Sequence, residues 1–197
     1  MNSSIEKEFR IEVNNNDIKE IIDNTLPYSA KKHMVDITCG KYEFDSLKKT
    51  GYICRIRKKE KNCFMEVKKY LKNESCIEKS ISIFSVADGI SFFKLLGLKP
   101  YLILDRYRQV RKYGNLKIYI DEITDIGNYI EIEYQNSSRK EAIDFLKRFN
   151  LSIDFKPKYG DIVKQKINDD VNIKKKLIKK INEYICWLYI IVYLLER

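Results

Sequence analysis

Alternation of charged and aliphatic side chains along eight short segments constrains the fold of this 197-residue chain more than any other feature. Successive side chains of a β-strand point to opposite faces, so each segment predicts a strand with one charged and one apolar face. In the first segment Glu6, Glu8 and Arg10 share one face, and Phe9 and Ile11 share the other. The predicted strands are residues 5–13, 31–39, 52–60, 62–70, 75–83, 99–112, 115–123 and 128–134.

Three segments have helical periodicity instead, at residues 16–25, 86–96 and 138–149. Asn14 and Ser85 are expected to cap the first two, and Gly97 to end the second. The apolar residues expected to cover the sheet are Ile18, Ile21, Ile22, Phe92, Leu95, Leu96, Phe145, Leu146 and Phe149. Short turns between sequential strands favour an α+β fold, a closed eight-stranded antiparallel β-barrel with helices packed outside, because closure removes exposed edges.

The charged faces carry neighbouring groups of the same sign. The pairs are Glu6 with Glu8, Arg55 with Arg57, Arg106 with Arg108, and Glu131 with Glu133. A solvated outer face is the ordinary alternative for an antiparallel sheet. Same-sign pairs favour an interior lined by these groups, and such an interior must hold water, metal and a charged ligand because a dry one is too costly.

Both sets of charges suit one kind of ligand. Carboxylate oxygens are the ligands that Mg²⁺ or Mn²⁺ prefers, and arginine and lysine neutralise and orient phosphate oxygens. The candidate metal ligands are Glu6, Glu8, Asp121, Glu131 and Glu133. The candidate phosphate ligands are Arg55, Arg57, Lys68, Arg106, Arg108 and Lys117. Metal and basic groups together predict a triphosphate site.

The order of short motifs along residues 4–166 resembles that of the CYTH superfamily, the triphosphate tunnel metalloenzymes. Glu6-Lys7-Glu8-Phe9-Arg10 resembles the E-x-E-x-K signature of the first strand. The other motifs that match in order are Arg55-Ile56-Arg57, Glu66-Val67-Lys68, Arg106-Tyr107-Arg108, Glu131-Ile132-Glu133 and Tyr159-Gly160-Asp161-Ile162-Val163.

The resemblance implies a triphosphate tunnel with the same metal ligands and with Arg10 and Lys68 in the catalytic set. The phosphate ligands that it implies are Arg55, Arg57, Lys68, Arg106 and Arg108. Several positions depart from the family pattern, including Thr38 and Cys39, where the family often has aromatic residues. Arg10 replaces the signature lysine, which keeps the charge but removes a base that could act near neutral pH. Cys76 and Ser80 replace the arginine and glutamate that flank the middle of the fifth strand.

A metal-dependent triphosphate phosphohydrolase is the favoured function, because it requires only phosphate ligands and metals. A class IV adenylate cyclase, which converts ATP to cyclic AMP and pyrophosphate, fits the same residues. A polyphosphate- or nucleotide-binding module without turnover is the third alternative. The expected ligand is ATP, thiamine triphosphate or tripolyphosphate.

Charge and cysteine content bear on location and partners. The net charge of the chain is +10, and residues 156–180 account for much of it with nine lysines against three aspartates. The rest of the chain is only mildly basic, which disfavours nucleic acid as a partner. Five cysteines without a C-x-x-C pair indicate reduced thiols in the cytoplasm. We expect a tunnel domain at residues 1–166 and a helical tail at 167–197 that is basic and then hydrophobic. Residues 156–180 predict a lysine-rich helix, and Tyr184–Leu195 is an apolar stretch of twelve residues without a charge. The tail is expected to pack on the protein, to form a homodimer, or to contact a membrane surface through residues 174–195.

Overall fold

The computed structural model of the chain describes residues 6–41, 51–70, 75–134 and 139–195. Glu6 is described only as backbone, so its predicted role as a metal ligand lies outside the described side chains.

The described residues contain nine strands and five helices. Their order is β1 (Glu6–Glu12), α1 (Asn15–Asn24), β2 (Leu26–Pro27), β3 (Lys32–Gly40), β4 (Tyr52–Lys59), β5 (Asn62–Tyr70), β6 (Ser75–Ile83), α2 (Val86–Leu95), β7 (Lys99–Tyr113), β8 (Leu116–Ile123), β9 (Gly127–Glu133), α3 (Arg139–Arg148), α4 (Tyr159–Asp169) and α5 (Val171–Leu195). The eight predicted strands and the first three predicted helices are confirmed, with each boundary within one residue of its prediction. The additional strand β2 has only two residues, which is too short to show an alternation.

The strands belong to one large antiparallel sheet. Its order is β2-β7-β3-β4-β5-β6-β1-β9-β8, and β8 also pairs with β7. In the β1–β9 pair Arg10 lies opposite Glu131, and in the β7–β8 pair Arg108 lies opposite Asp121. The α+β class is therefore confirmed, and the closure of the sheet into a barrel stays a prediction.

By its contacts the chain divides into two compact units. The first comprises Met1–Met34, Lys69–Glu78 and Asp105–Tyr159, and the second comprises Val35–Lys68, Lys79–Leu104 and Gly160–Arg197. The predicted division into residues 1–166 and 167–197 follows a different criterion, the change in composition, and stays a prediction.

The core of the first unit lies between the apolar faces of β1, β8 and β9 and the helices α1 and α3. Ile11, Ile118 and Ile130 are fully buried there, which stabilises the unit by about 1.5–3 kcal/mol for each side chain. The helices contribute Ile18, Ile21, Phe145, Leu146 and Phe149, as the sequence predicts. Asn14 caps α1 by accepting hydrogen bonds from the backbone of Asn16 and Asp17.

Helix α2, in the second unit, begins and ends as predicted but buries a different face. Ser85 accepts a hydrogen bond from the Asp88 backbone N–H, and Gly97 adopts a positive φ of 73° after the last turn. The predicted packing of Phe92, Leu95 and Leu96 is wrong, because all three side chains are exposed. The buried residues of α2 are Gly89, Ile90 and Phe93.

The end of the chain forms two helices rather than the single lysine-rich helix predicted over residues 156–180. Helix α4 ends at Asp169, and Asp170 accepts a hydrogen bond from the Asn172 backbone N–H at the start of α5. The lysines and the apolar stretch therefore lie on one helix of 25 residues, about 37 Å long. Within the described residues, no helix combines the length and apolar character needed to cross a membrane.

Candidate functional site

Strands β1, β7, β8 and β9 bring the predicted charged residues of the first unit together. The register places Glu8 opposite Glu133 across β1–β9, and Lys117 opposite Glu133 across β8–β9. Side chains on directly opposite residues lie about 5 Å apart at their Cβ atoms, so their charged ends can meet. The alternation that puts the isoleucines of these strands in the core puts the charged groups on the other face.

Arg10 lies between two carboxylates. Its Nη2 donates to Glu8 Oε1 over 2.6 Å and to Glu131 Oε2 over 2.7 Å, and its Nε donates to Glu131 Oε2 over 3.0 Å. The guanidinium carbon also lies 4.8 Å from the centre of the Tyr159 ring. Burial alone would lower the pKa of Arg10, but the Glu131 and Glu8 carboxylates raise it above its ordinary value. Arg10 is therefore a permanent cation held from three directions.

Asp121 is fully buried and is bound by three other side chains. Arg108 donates to both oxygens, from Nε to Oδ1 over 2.6 Å and from Nη2 to Oδ2 over 2.5 Å. The Tyr159 hydroxyl donates to Oδ2 over 2.6 Å, and Arg106 Nη1 lies 3.6 Å from the same oxygen. Burial alone would raise the pKa of Asp121, but Arg108 and Arg106 hold it below its ordinary value. The buried carboxyl is therefore ionised.

Glu131 and Glu133 complete this group of charges. Arg108 Nη2 lies 3.2 Å from Glu131 Oε1, so Glu131 is held by two arginines. Glu133 accepts a hydrogen bond from the Tyr119 hydroxyl over 2.5 Å and one from Lys117 Nζ over 3.2 Å. Burial, followed by the hydrogen bond to Glu133, raises the pKa of Tyr119, so its hydroxyl stays protonated and serves as a donor.

We call these residues the carboxylate–arginine cluster. Its acidic members are Glu8, Asp121, Glu131 and Glu133, and its basic members are Arg10, Arg106, Arg108 and Lys117. All eight are predicted site residues, and the four negative charges balance the four positive charges. The sequence prediction missed Tyr119. Tyr119 lies on the same face of β8 as Lys117 and Asp121, and its position two residues from each could have identified it.

The second unit also contains a group of ion pairs. Arg57 donates to both oxygens of Asp36, over 2.7 and 3.0 Å, and Arg55 Nε donates to Glu66 Oε2 over 2.5 Å. Lys68, on the same face of β5 as Glu66, is buried. The predicted phosphate ligands Arg55 and Arg57 thus lie against carboxylates. Asp36 and Glu66 were not predicted as site residues, although Glu66 shares the face of Lys68.

The acidic members of the carboxylate–arginine cluster fit a hard divalent cation in donor chemistry, since all supply carboxylate oxygens. As arranged, however, each is bound by a basic side chain. Among the residues that the structure describes, no three or more His, Cys, Asp or Glu side chains are grouped so that they could hold a metal ion. In this arrangement the basic side chains compete with a metal ion for the carboxylate oxygens.

Residues 4–153 match the family profile of the CYTH domain. No curated protein is a significant sequence match for the chain. A conserved hypothetical protein from Pyrococcus furiosus is similar in structure, with a TM-score of 0.68 and 21% identity over 80% of this chain and 99% of that one. A protein from Vibrio parahaemolyticus described as a candidate adenylate cyclase has a TM-score of 0.63 and 15% identity, over 83% and 99% of the two chains.

A candidate adenylyl cyclase from Hippeastrum, for which a dominant triphosphatase activity is described, is also similar. Its TM-score is 0.53 and its identity is 13%, over 75% of this chain and 88% of that one. At these identities the solved structures establish a shared fold. The family profile, by contrast, covers most of the chain.

Proposed function

Because the chain belongs to the CYTH domain family, we propose that its carboxylate–arginine cluster binds the phosphate groups of a small-molecule triphosphate. The observation that carries this proposal is the double hydrogen bond from Arg108 to Asp121, with Arg106 beside it. A guanidinium that holds a carboxylate through two nitrogens can hold two phosphate oxygens in the same way.

The ion pairs explain how the protein tolerates so much buried charge. An unpaired buried arginine would cost several kcal/mol, on the order of 3–5, and the carboxylates remove that cost by pairing with it. A triphosphate would replace these carboxylates as the partner of Arg106, Arg108 and Lys117. On the family resemblance, Arg55, Arg57 and Lys68 of the second unit are assigned the same role.

For the reaction we propose metal-dependent hydrolysis of an organic or inorganic triphosphate. Glu8, Asp121, Glu131 and Glu133, with Glu6, would hold Mg²⁺ or Mn²⁺, which would supply charge stabilisation at the phosphoryl oxygens. The basic residues orient the phosphate groups for attack by water. On the family resemblance Arg10 and Lys68 belong to the catalytic set. Arg10 acts there as a cation, because its raised pKa prevents it from acting as a base.

We also propose that the sheet closes into a barrel with the charged faces inside. The pairing of β8 with β9 on one side and with β7 on the other supports closure.

The structural similarity to adenylate cyclase-like proteins supports ATP cyclisation as a second candidate reaction. Hydrolysis remains favoured because the charges of the cluster suit phosphate, whereas the sequence contains no motif that would recognise adenine. A third candidate is a binding module without turnover, which is supported by the replacement of the signature lysine by Arg10.

Product analysis tests these alternatives. Purified protein is incubated with tripolyphosphate, thiamine triphosphate or ATP, with Mg²⁺ or Mn²⁺, and the products are separated by ion-exchange chromatography. Hydrolysis predicts phosphate and a diphosphate, whereas cyclisation of ATP predicts pyrophosphate and cyclic AMP. Calorimetry with each compound identifies binding without turnover. The absence of both binding and turnover would contradict the proposed function.

For location and assembly, we propose a cytoplasmic protein with homodimer formation or membrane contact through residues 174–195. The free thiols of Cys39, Cys54, Cys63 and Cys76 support a reducing compartment. Burial raises the pKa of the Cys39 thiol to about 12, so this thiol is unreactive near neutral pH.

A further inference from the structure

Arg10 occupies the space between two of the carboxylates that are proposed to bind metal. A single nitrogen, Nη2, is within 2.6 Å of Glu8 and 2.7 Å of Glu131, so the two carboxylates share one positive group. A guanidinium in this position neutralises the same repulsion that a divalent cation would neutralise. The side chain is buried, and the Tyr159 ring lies against its face at 4.8 Å.

We propose that Arg10 is a built-in counterion of the Glu8–Glu131 pair, and that it keeps free divalent metal ions from binding there until Arg10 moves away. This inference rests on the proposed function in one respect, the assignment of Glu8 and Glu131 as metal ligands. It predicts that the protein without triphosphate binds Mn²⁺ weakly, because the ion must either displace Arg10 or be held beside a positive group in a buried site.

The residue type at position 10 then sets the metal affinity. Arginine holds Glu131 through Nε and Nη2 together, a planar arrangement that lysine cannot reproduce. Lysine has one nitrogen on a flexible stem and can move aside at lower cost. Glutamine has a similar length and no charge, so Arg10→Gln removes the positive group that Glu8 and Glu131 share.

Direct titration with Mn²⁺ tests the proposal in the absence of triphosphate. Free Mn²⁺ is followed by electron paramagnetic resonance for the full chain, for Arg10→Lys and for Arg10→Gln. We expect Arg10→Gln to bind Mn²⁺ at least about tenfold more tightly than the unmodified chain, the scale expected for removing one like charge. We expect Arg10→Lys to bind Mn²⁺ more tightly than the unmodified chain as well, because lysine keeps the charge but moves aside at lower cost. The double variant Arg10→Gln/Glu131→Gln should lose this gain. Equal affinity of all the chains, or a gain that persists in the double variant, would overturn the proposal.

Thermal unfolding provides a second readout. We expect Arg10→Gln to unfold at a lower temperature in the presence of a chelator and to recover with Mn²⁺, while the unmodified chain responds little. Arg111→Gln is the matched control, because Arg111 is also buried but donates to Thr25 Oγ1 and to the Ile22 carbonyl oxygen instead of to carboxylates. Recovery of both variants with Mn²⁺ would overturn the proposal. If Arg10→Gln does not fold, the Mn²⁺ titration of Arg10→Lys decides.

The test of the counterion role can fail or succeed independently of the test of the proposed function. Tripolyphosphate binding is measured by calorimetry in chelator and, separately, with Mn²⁺. Absence of tripolyphosphate binding, together with the expected gain in Mn²⁺ affinity, would contradict the proposed function and support the counterion role. Tight Mn²⁺ binding by the unmodified chain, together with tripolyphosphate binding, would support the proposed function and overturn the counterion role.

Discussion

Tyr159, the first residue of α4, donates its hydroxyl hydrogen to Asp121 Oδ2 over 2.6 Å, and Arg108 donates to the same oxygen. Asp121 is fully buried in β8, so the tyrosine provides a hydrogen bond that water cannot. The arrangement fixes the direction of the carboxylate and, through it, the position of Arg108.

Replacing Tyr159 by phenylalanine should therefore destabilise the protein by about 1.5–3 kcal/mol, the scale of a hydrogen bond to a charged group. The measurement is urea unfolding followed by circular dichroism. Tyr129→Phe is the control, since the Tyr129 ring is also buried and packs against Tyr159, whereas the hydroxyl hydrogen bond to Asp121 comes from Tyr159. Equal destabilisation by the two changes would mean that packing, not the hydrogen bond, matters.

The lowered pKa of Asp121 predicts how stability depends on pH. A carboxyl whose pKa is lower in the folded state stabilises that state above its unfolded value, about 3.9, and loses this contribution as the pH falls through the folded value. Asp121→Asn should cost about 3–5 kcal/mol near pH 7, because it leaves buried arginines without their charged partner.

The difference between Asp121→Asn and the unmodified chain should shrink as the pH falls below about 4. Urea midpoints between pH 3 and 7 measure this difference. Asp144→Asn, on the exposed side of α3, should leave the midpoint near pH 7 unchanged. A constant difference for Asp121→Asn over the whole range would contradict the assignment of an ionised, paired Asp121.

Arg108 is predicted to be a phosphate ligand. Arg108→Ala should weaken tripolyphosphate binding by about 1.5–3 kcal/mol through the loss of charge-assisted hydrogen bonds. Arg108→Lys should retain part of the affinity, because it keeps the charge without the planar pair of donors. Calorimetry measures both. Arg148→Ala removes an exposed arginine that contacts Tyr113 and should leave the affinity unchanged. Full affinity of Arg108→Ala would remove this residue from the phosphate site.

The lysines of α5 are predicted to contact anionic lipid. Lys175 and Lys179 are exposed one turn apart, and each should contribute about 1 kcal/mol to binding at an anionic membrane surface. Lys175→Glu/Lys179→Glu should abolish co-sedimentation with phosphatidylserine vesicles at low salt. The double change Lys58→Glu/Lys59→Glu, at the exposed end of β4, has the same charge and should not. Equal sedimentation of all three chains would reject membrane contact through α5.

The strands could be predicted from the sequence because the alternation of charged and apolar side chains is a local pattern. It reflects the burial of one face of each strand. The sequence could not predict which carboxylate Arg10 binds. Glu8 is two residues away, whereas Glu131 is 121 residues away, and only the β1–β9 register brings Glu131 opposite. The signs of the charges were therefore predictable, but their pairing was not.

Two further differences have physical causes. Helix α2 has apolar residues on more than one face, and its orientation follows from the close approach of Gly89 to Ile56 and Ile83. A Cβ at Gly89 would lie 2.9 Å from Ile56 Cγ1 and 2.8 Å from Ile83 Cδ1. In α5 the change from lysines to apolar residues suggested a boundary, but neither glycine nor proline interrupts residues 171–195, so the helix continues through it.

Strand β9 places Ile130 and Ile132 in the core and Glu131 and Glu133 in the carboxylate–arginine cluster. Because the side-chain period of a strand is two, inserting or deleting one residue would exchange the two faces. Such a change would place two carboxylates in the apolar core and two isoleucines among the arginines. Natural variation in the length of this chain is therefore expected outside β9, since a one-residue change within it would damage folding and ligand binding together.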